Sequence, residues 1–219
     1  MLRIPEPELM NDPAQVHAYA TADFDQPHSM FIDLLRARYG ASMQGRALDL
    51  GCGPGDITLR FLRAFPACQA DAVDGASNML AYAHKASVEQ GLQDRLRLIE
   101  CTLPDTHIPE TSYPLIISNS LLHHLDQPMH LWQTVRKYAQ PGCIVFIMDL
   151  LRPESEHTAH DLVQTYAAEE AEILQQDFYH SLLAAYRPDE IEVQLQQAGL
   201  SLQVEVVSDR HLIIHGVLL

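Results

Sequence analysis

A short apolar strand that runs into three alternating glycines constrains this chain more than any other feature. Residues 46–50 are predicted as a buried strand, and Gly51, Gly53 and Gly55 follow in the run ALDLGCGPG. Glycine allows the positive φ angles of a tight turn and lets a ligand approach the backbone closely. A helix predicted over 55–65 then directs its N-terminus toward that ligand. The segment is therefore predicted to be a strand–turn–helix that binds a small polar ligand.

Two features of this turn differ from those of a dinucleotide-binding site. The glycine spacing is Gly-x-Gly-x-Gly rather than Gly-x-Gly-x-x-Gly, and a carboxylate, Asp49, lies beside the turn. A carboxylate is unfavourable next to a pyrophosphate but suits a ligand with an ammonium or sulfonium group. Asp74 ends the next predicted strand, where an acid accepts hydrogen bonds from ribose hydroxyls in this topology. Together the two acids predict a site for a nucleoside with a cationic amino-acid tail.

The chain as a whole alternates strand-like and helix-like segments, a pattern typical of a parallel sheet covered by helices. Apolar strands are predicted over residues 46–50, 69–73, 95–100, 113–118, 143–150, 201–207 and 211–218. Helices are predicted over residues 14–22, 30–39, 55–65, 77–90, 127–139, 156–186 and 188–199. Because the linker 208–210 is short enough for a hairpin, the last strand should run antiparallel to the others. The expected fold is α/β and Rossmann-like, with seven mostly parallel strands, an antiparallel last strand and helices on both faces.

Composition limits the partners of this chain. Its 219 residues carry 14 Lys and Arg against 29 Asp and Glu, a formal net charge of −15. Binding to nucleic-acid phosphates needs a basic surface, so this charge predicts no nucleic-acid partner. No apolar run reaches the length of about 18 residues that a membrane span needs, and the start lacks a signal-peptide pattern. Four dispersed cysteines form no disulfide framework, so a cytoplasmic protein without a membrane partner is expected, whereas the oligomeric state stays open.

Four motifs occur in the order typical of class I S-adenosylmethionine (SAM)-dependent methyltransferases, and the sequence resembles that family. They read ALDLGCGPG, VDGASNML, YPLIISNSLLHHL and QPGCIVFIMDLLRP, and the resemblance covers residues 40–153. The sequence is most similar to the small-molecule group that includes ubiquinone/menaquinone-biosynthesis and arsenite methyltransferases. The resemblance implies SAM as the cofactor, a small molecule as the methyl acceptor and a direct in-line displacement.

A single methyltransferase domain is expected over residues 1–219. Its expected parts are an N-terminal helical lid (1–40), a cofactor-binding core (41–153), a helical cap (154–187) and a C-terminal helix and hairpin (188–219). The cap is inferred because residues 156–186 have a helical pattern without a strand, between the fifth and sixth predicted strands. Such a cap would exclude water and select the acceptor.

The resemblance assigns cofactor contacts mainly to residues that follow the predicted strands. The expected cofactor-binding residues are Tyr19, Asp49, Gly51, Gly53, Asp74, Gly75, Met79, Thr102, Leu103 and Asn119. Asp49 and the glycines would hold the methionine end, Asp74 would bind the ribose, and Thr102 would lie near the adenine. The family often has an Asp at the end of the third strand, where this chain reads Cys101-Thr102. The Thr102 hydroxyl or a backbone carbonyl would therefore have to accept the adenine amine.

His124 and Asp149 are the expected catalytic residues, each a candidate general base. Both follow or end predicted strands at the carboxyl edge of the sheet, where ligands of such folds bind. A structural alternative stays open for each residue. The histidine would cap its loop and pack on the next helix, and Asp149 would hold a loop or pair with Arg152.

His123, Tyr179 and Arg210 are the expected substrate-binding residues. The turn before the last strand should lie at the same edge, where Arg210 would bind an acceptor carboxylate through two hydrogen bonds. The alternative is a surface turn residue paired with Asp209. Tyr179 belongs to the predicted cap, and the alternative for its ring is a core position with a solvated hydroxyl. The acidic run of the cap is otherwise typical of a solvated helix face.

No metal is expected, although the chain has 12 histidines. The pairs His157–His160 and His211–His215 have ligand spacing but lack a clear third ligand nearby in the sequence. Two other functions stay open, a catalytically inactive cofactor-binding scaffold or partner subunit and a nucleic-acid methyltransferase. The net charge disfavours the latter, as does the segment 119–122, which replaces the Asn/Asp-Pro-Pro-Tyr signature of amino methylases that act on DNA bases.

Overall fold

The structure, a computed structural model, describes residues 1–6, 10–104, 107–109 and 112–219. Its strands are β1 (Gly45–Leu50), β2 (Cys68–Asp74), β3 (Leu96–Glu100), β4 (Tyr113–Asn119), β5 (Ala139–Leu150), β6 (Gln203–Val206) and β7 (His211–Leu218). Its α-helices are α1 (Pro13–Thr21), α2 (Asp25–Tyr39), α3 (Asp56–Ala64), α4 (Ser77–Glu89), α5 (Met129–Tyr138), α6 (Glu156–Tyr166), α7 (Glu172–Ala184) and α8 (Pro188–Ala198). In this described part of the chain, no helix has both the length and the apolar character needed to cross a membrane.

The seven strands form one sheet in the order β3-β2-β1-β4-β5-β7-β6. Parallel pairing extends from β1 through β2 to β3 on one side, and through β4 to β5 on the other. Strand β7 lies antiparallel between β5 and β6. This arrangement confirms the expected mostly parallel sheet with an antiparallel last strand. The strand order reverses between β1 and β4, and ligands of such sheets bind in the crevice at that point.

Helices cover both faces of the sheet, because successive strand residues point to opposite sides. On one face, Leu48 belongs to a buried cluster that includes Trp132 of α5. On the other face, Ile117 belongs to a second cluster with Phe31 of α2. Phe31 meets Phe146 of β5 edge to face, with ring centroids 4.9 Å apart. These two apolar layers hold the central strands in place, and the strand ends position the site.

Several element boundaries differ from the predicted ones, and the start of β5 and the helical cap illustrate this. Strand β5 begins at Ala139 rather than at residue 143, because Ala139 pairs with Tyr113 across a register shift in the β4–β5 ladder. The predicted helical cap consists of two helices, α6 and α7, separated by residues 167–171. The first difference depends on pairing with a distant strand, which a local hydrophobic pattern does not encode.

Candidate active site

The glycine turn after β1 folds back over the end of β2. The amides of Gly51 and Cys52 both donate to the Val73 carbonyl oxygen, at 2.8 and 2.9 Å. Gly51 and Gly53 have positive φ angles of +72° and +52°. A Cβ at Gly51 would meet the Leu121 side chain at 2.8 Å, whereas a Cβ at Gly53 would meet nothing within 4 Å. Packing therefore requires glycine at position 51, and the space beside Gly53 is open to a ligand.

Asp74, the last residue of β2, stabilises this turn through hydrogen bonds to backbone amides. Its Oδ2 accepts a hydrogen bond from the Gly53 amide and its Oδ1 accepts one from the Ala76 amide, each at 2.8 Å. Burial raises the pKa of Asp74, and these backbone donors partly oppose the rise. Each carboxylate oxygen can accept a second hydrogen bond, so both stay able to bind the hydroxyl groups of a ligand.

Asp49 lies within β1, beneath the same turn, with 1% of its surface exposed. Its Oδ2 accepts a hydrogen bond from the Thr58 hydroxyl at 2.5 Å. Burial raises the pKa of Asp49 to about 7; the Thr58 hydrogen bond opposes the rise and the charge of Asp74 adds to it. A cationic ligand group beside Asp49 would favour the ionised form of this buried carboxylate.

A cavity of about 290 Å³ lies over the glycine turn at the carboxyl edge of the sheet, and we call it the first cavity. All ten residues expected to bind the cofactor line it: Tyr19, Asp49, Gly51, Gly53, Asp74, Gly75, Met79, Thr102, Leu103 and Asn119. Burial raises the pKa of Tyr19, which comes from α1, to about 12. Asn119 Oδ1 is buried and has no hydrogen-bond partner among the described residues. The fold brings the ten residues to one cavity, and their individual roles stay proposals.

A second cavity, of about 200 Å³, adjoins the first and shares Tyr19, Asn119 and His124 with it. Residues of α2, of the cap helix α7 and of the turn between β6 and β7 line this second cavity. Two of the expected substrate-binding residues, His123 and Arg210, are among them. The site therefore consists of two joined compartments, with His124 at their junction.

Arg210 lies in the turn between β6 and β7, at the carboxyl edge of β5, because His211 pairs with Leu150 in the ladder. Its guanidinium carbon lies 3.2 Å from the centroid of the Tyr166 ring, and Nη1 donates to Asp209 Oδ1 at 3.1 Å. The pairing with Asp209 that the sequence left open is therefore present. Arg210 also lines the second cavity.

Asp149 makes its contacts with the loop after β4 and lines neither cavity. Its Oδ1 accepts from His123 Nδ1 at 2.5 Å, and its Oδ2 accepts from the Leu122 amide at 2.8 Å. Burial raises the pKa of Asp149, but His123 and the backbone amides outweigh it and hold the pKa below its usual range. The geometry does not support a base that touches an acceptor, and Asp149 instead orients His123.

The proposed pairing of Asp149 with Arg152 is also absent. Arg152 Nη2 donates to Glu190 Oε1 at 2.6 Å, and Arg152 Nη1 donates to the Ala185 carbonyl oxygen at 3.1 Å. Arg152 thus ties the end of β5 to α8 and to the end of the cap.

Tyr179 does not reach the site. Its ring stacks on His160 with centroids 4.3 Å apart, and it packs against the apolar cluster between α6 and α7. The face of α7 that lines the second cavity carries Leu174, Asp177 and Ser181, at helical spacings of three and four. The expected substrate contact of Tyr179 is therefore not seen, because its position on the helix is turned away from that face.

Glu6 contacts two histidines of this site, a relation that sequence reasoning missed. The backbone before it is anchored by Arg3, which donates to the carbonyl oxygens of Ala184 at 2.6 Å and His123 at 2.8 Å. Glu6 Oε1 then lies 3.2 Å from His124 Nδ1 and 3.5 Å from His123 Nε2. Burial raises the pKa of Glu6, and the charge of His123 opposes the rise. No local pattern relates Glu6 to histidines so far along the chain.

A family model described as a methyltransferase domain matches residues 47–142, the stretch that contains the glycine turn and both buried acids. This stretch of the chain is therefore similar to methyltransferase domains. The chain is 30% identical over 121 residues to malonyl-[acyl-carrier protein] O-methyltransferase of Halalkalibacterium halodurans, covering 55% of this chain and 44% of that protein. It is 33% identical over 129 residues to trans-aconitate 2-methyltransferase of Mycobacterium ulcerans, covering 58% of this chain and 44% of that protein. The chain thus spans less than half the length of these curated relatives.

The fold of this chain is also similar to that of a SAM-dependent methyltransferase from Aquifex aeolicus. The TM-score is 0.72, with 96% of this chain and 100% of the other covered. At 16% sequence identity, this likeness shows the fold alone. It extends well beyond residues 47–142, because nearly the whole chain is covered. The resemblance stated from the sequence motifs is confirmed.

Proposed function

We propose that this protein transfers a methyl group from SAM to a small-molecule acceptor by direct in-line displacement. The observation that carries the proposal is the junction of two cavities. Asp49, Asp74 and the glycine turn line the first cavity, and Asn119 and His124 line both. Transfer between two bound small molecules needs two adjoining compartments, and this arrangement supplies them.

The residues of the first cavity fit SAM. Its ammonium and sulfonium groups are cations, which suit the buried carboxylate of Asp49. Its ribose hydroxyls are hydrogen-bond donors, which suit the remaining acceptor sites of Asp74. The space beside Gly53 admits a ligand, and the buried Oδ1 of Asn119 requires a donor. Thr102 lies in the same wall and offers a hydroxyl to the adenine.

When bound, SAM supplies a methyl group that its positively charged sulfur has already activated, so no covalent enzyme intermediate is needed. The chain contributes position, and holding two reactants in line lowers a barrier by about 7–11 kcal/mol. His124, at the junction, is the residue we assign to take a proton from an acceptor that must lose one. Helices α2 and α7 cover the acceptor side and exclude water.

Arg210 is the residue we assign to orient the acceptor. Its guanidinium is held in the wall of the second cavity by Tyr166 and Asp209. A guanidinium in that place pairs with a carboxylate or another anionic group. We therefore propose an acceptor with an anionic group near the atom that is methylated.

Calorimetric titration with S-adenosylhomocysteine (SAH), the demethylated product, tests the cofactor site. We expect micromolar binding of SAH and no binding of NAD, because Asp49 would face the pyrophosphate of NAD. The Asp74→Ala variant should lose SAH binding, whereas Asp33→Ala, which removes an exposed acid of α2, should bind as the unaltered protein does. Absence of SAH binding by the folded protein would reject the proposal.

Release of SAH during incubation with SAM and a panel of small anionic acceptors tests the transfer itself. Enzymatic SAH release that depends on one acceptor class supports methyl transfer. Tight SAH binding without transfer to any acceptor favours the inactive scaffold instead.

A further inference from the structure

Three side chains from distant parts of the sequence converge beside the second cavity. Glu6 Oε1 lies 3.5 Å from His123 Nε2 and 3.2 Å from His124 Nδ1, and the three candidate ligand atoms lie within 4.8 Å of one another. His123 is fully enclosed, and the side chains of Glu6 and His124 are 10% and 18% exposed. Both histidines line the second cavity.

The orientation of His123 determines what lies between it and Glu6. Asp149 Oδ1 accepts the proton of His123 Nδ1, so in a neutral ring Nε2 carries a lone pair. That lone pair faces Glu6 Oε1, a buried acceptor with no hydrogen-bond partner among the described residues. Two acceptors that face each other at 3.5 Å need a cation between them, either a proton or a metal ion.

The spacing of the three atoms fits a metal ion. Zn²⁺ binds nitrogen and oxygen ligands at about 2.0–2.1 Å, and a tetrahedral site of that size separates its ligand atoms by about 3.3 Å. The distances from Glu6 Oε1, 3.2 and 3.5 Å, lie on either side of that value. A carboxylate that holds the far nitrogen of a ligating histidine, as Asp149 holds His123, is the usual outer support of such a site.

Charge and ligand chemistry point the same way. With neutral histidines, the carboxylates of Glu6 and Asp149 leave two negative charges buried, and a divalent ion offsets both. Two imidazoles and one carboxylate suit a transition-metal ion rather than Mg²⁺ or Ca²⁺, which prefer oxygen ligands.

We propose that Glu6, His123 and His124 bind one divalent transition-metal ion beside the second cavity. Three protein ligands leave a coordination position open, and the two histidines line the acceptor compartment. Metal binding does not depend on the proposed methyl transfer. Its catalytic consequence does rest on that function. The ion would lower the pKa of a bound acceptor hydroxyl, which would then lose its proton to solvent water, so that His124 would not be needed as the base.

Calorimetric titration of the chelator-treated full chain with Zn²⁺ tests the site. We expect one equivalent to bind, with affinity at least 100-fold weaker in both Glu6→Gln and His124→Asn. The matched control is His157→Asn, because His157 is 87% exposed and lies 3.6 Å from Asp161 as a surface pair. The control should bind Zn²⁺ as the unaltered protein does. Asp149→Asn should weaken binding by about 10- to 100-fold, as expected of an outer support.

Two measurements separate a lost site from a lost fold. The single tryptophan, Trp132, is fully buried, so its fluorescence reports whether each variant is folded. The visible absorption of bound Co²⁺ should appear in the unaltered protein and in His157→Asn, and be absent from Glu6→Gln and His124→Asn. SAH titration of the same samples shows separately whether the cofactor site is intact.

The competing occupant is a proton on His123, whose pKa the two neighbouring carboxylates raise against the effect of burial. Nuclear magnetic resonance of the imidazole nitrogens distinguishes the two. The proposal is overturned if His123 Nε2 stays protonated with one equivalent of Zn²⁺ present. It is overturned equally if folded Glu6→Gln binds Zn²⁺ as the unaltered chain does, or if the unaltered chain binds none.

Discussion

The Asp74 carboxylate accepts a hydrogen bond from the Gly53 amide at 2.8 Å and so joins the end of β2 to the glycine turn after β1. The residue expected to bind the ribose therefore also shapes the turn expected to hold the methionine end. A change at Asp74 should disturb both ends of the proposed cofactor site, whereas a change that fills the space beside Gly53 acts mainly on the ligand.

Gly53→Ala is expected to weaken SAH binding at least tenfold at little cost in stability. Its Cβ meets no protein atom within 4 Å, so the added methyl group occupies ligand space. Gly142→Ala is the matched control, because Gly142 also has a positive φ (+81°) and open surroundings. Each change should lower the free energy of unfolding by about 1 kcal/mol. Calorimetry with SAH and urea unfolding measure the two quantities, and equal SAH affinity in both variants would contradict the assigned ligand space.

SAH binding should weaken as the pH is lowered below about 7. Burial raises the pKa of Asp49 to about 7 in the free protein, and a cationic ligand group favours the ionised carboxylate. Binding at lower pH must therefore release a proton, and the affinity falls by up to about tenfold per pH unit. Above the pKa this dependence vanishes, because Asp49 is already ionised.

The Asn variant of Asp49 is the control for this pH dependence. Asp49→Asn should bind SAH weakly and lose this part of the profile, because the amide does not titrate. A constant affinity of the unaltered protein between about pH 6 and 8, measured by calorimetry, would show that Asp49 does not face the cationic end.

Two ion pairs of equal length should differ in their contribution to stability. Arg152–Glu190 and Arg38–Glu205 both have N···O distances of 2.6 Å, but the arginine side chains are 4% and 21% exposed. Glu190→Gln should lower the free energy of unfolding by about 2 kcal/mol, because it leaves a buried guanidinium without its counter-charge. Glu205→Gln should cost less than about 1 kcal/mol. Urea unfolding followed by Trp132 fluorescence measures both, and equal losses would contradict the argument from burial.

Arg210→Gln should raise the KM for an anionic acceptor at least tenfold while SAH affinity stays unchanged. The guanidinium lines the second cavity but not the first, so only the acceptor loses a partner. Tyr179→Phe is the control, because Tyr179 stacks on His160 and lines neither cavity. Steady-state kinetics with the identified acceptor checks both variants. A raised KM in Tyr179→Phe would place that residue in the site after all.

The proposed cofactor side of the site was predictable because its signals are local. A strand followed by alternating glycines specifies its own turn, and the acids at Asp49 and Asp74 lie within or at the end of apolar strands. In a parallel sheet such positions lie at one edge, whatever the conformation of the loops. All ten expected cofactor residues accordingly line one cavity.

The acceptor side was less predictable because it is assembled from distant segments. The partner of Asp149 is His123 rather than Arg152, a choice decided by how the loop after β4 packs on β5. The direction of Tyr179 depends on how α7 is rotated against α6, and helical periodicity does not specify which face meets a cavity.

The sequence by itself determined the order of strands and helices, the glycine turn and the two acids of the proposed cofactor site. Backbone preference and hydrophobic period act over a few neighbouring residues, so the chain encodes these features directly. Only the tertiary structure decided that Glu6 meets His123 and His124 and that Asp149 orients His123. Such contacts between distant segments depend on the packing of the whole sheet and its helices, which no short stretch of sequence encodes.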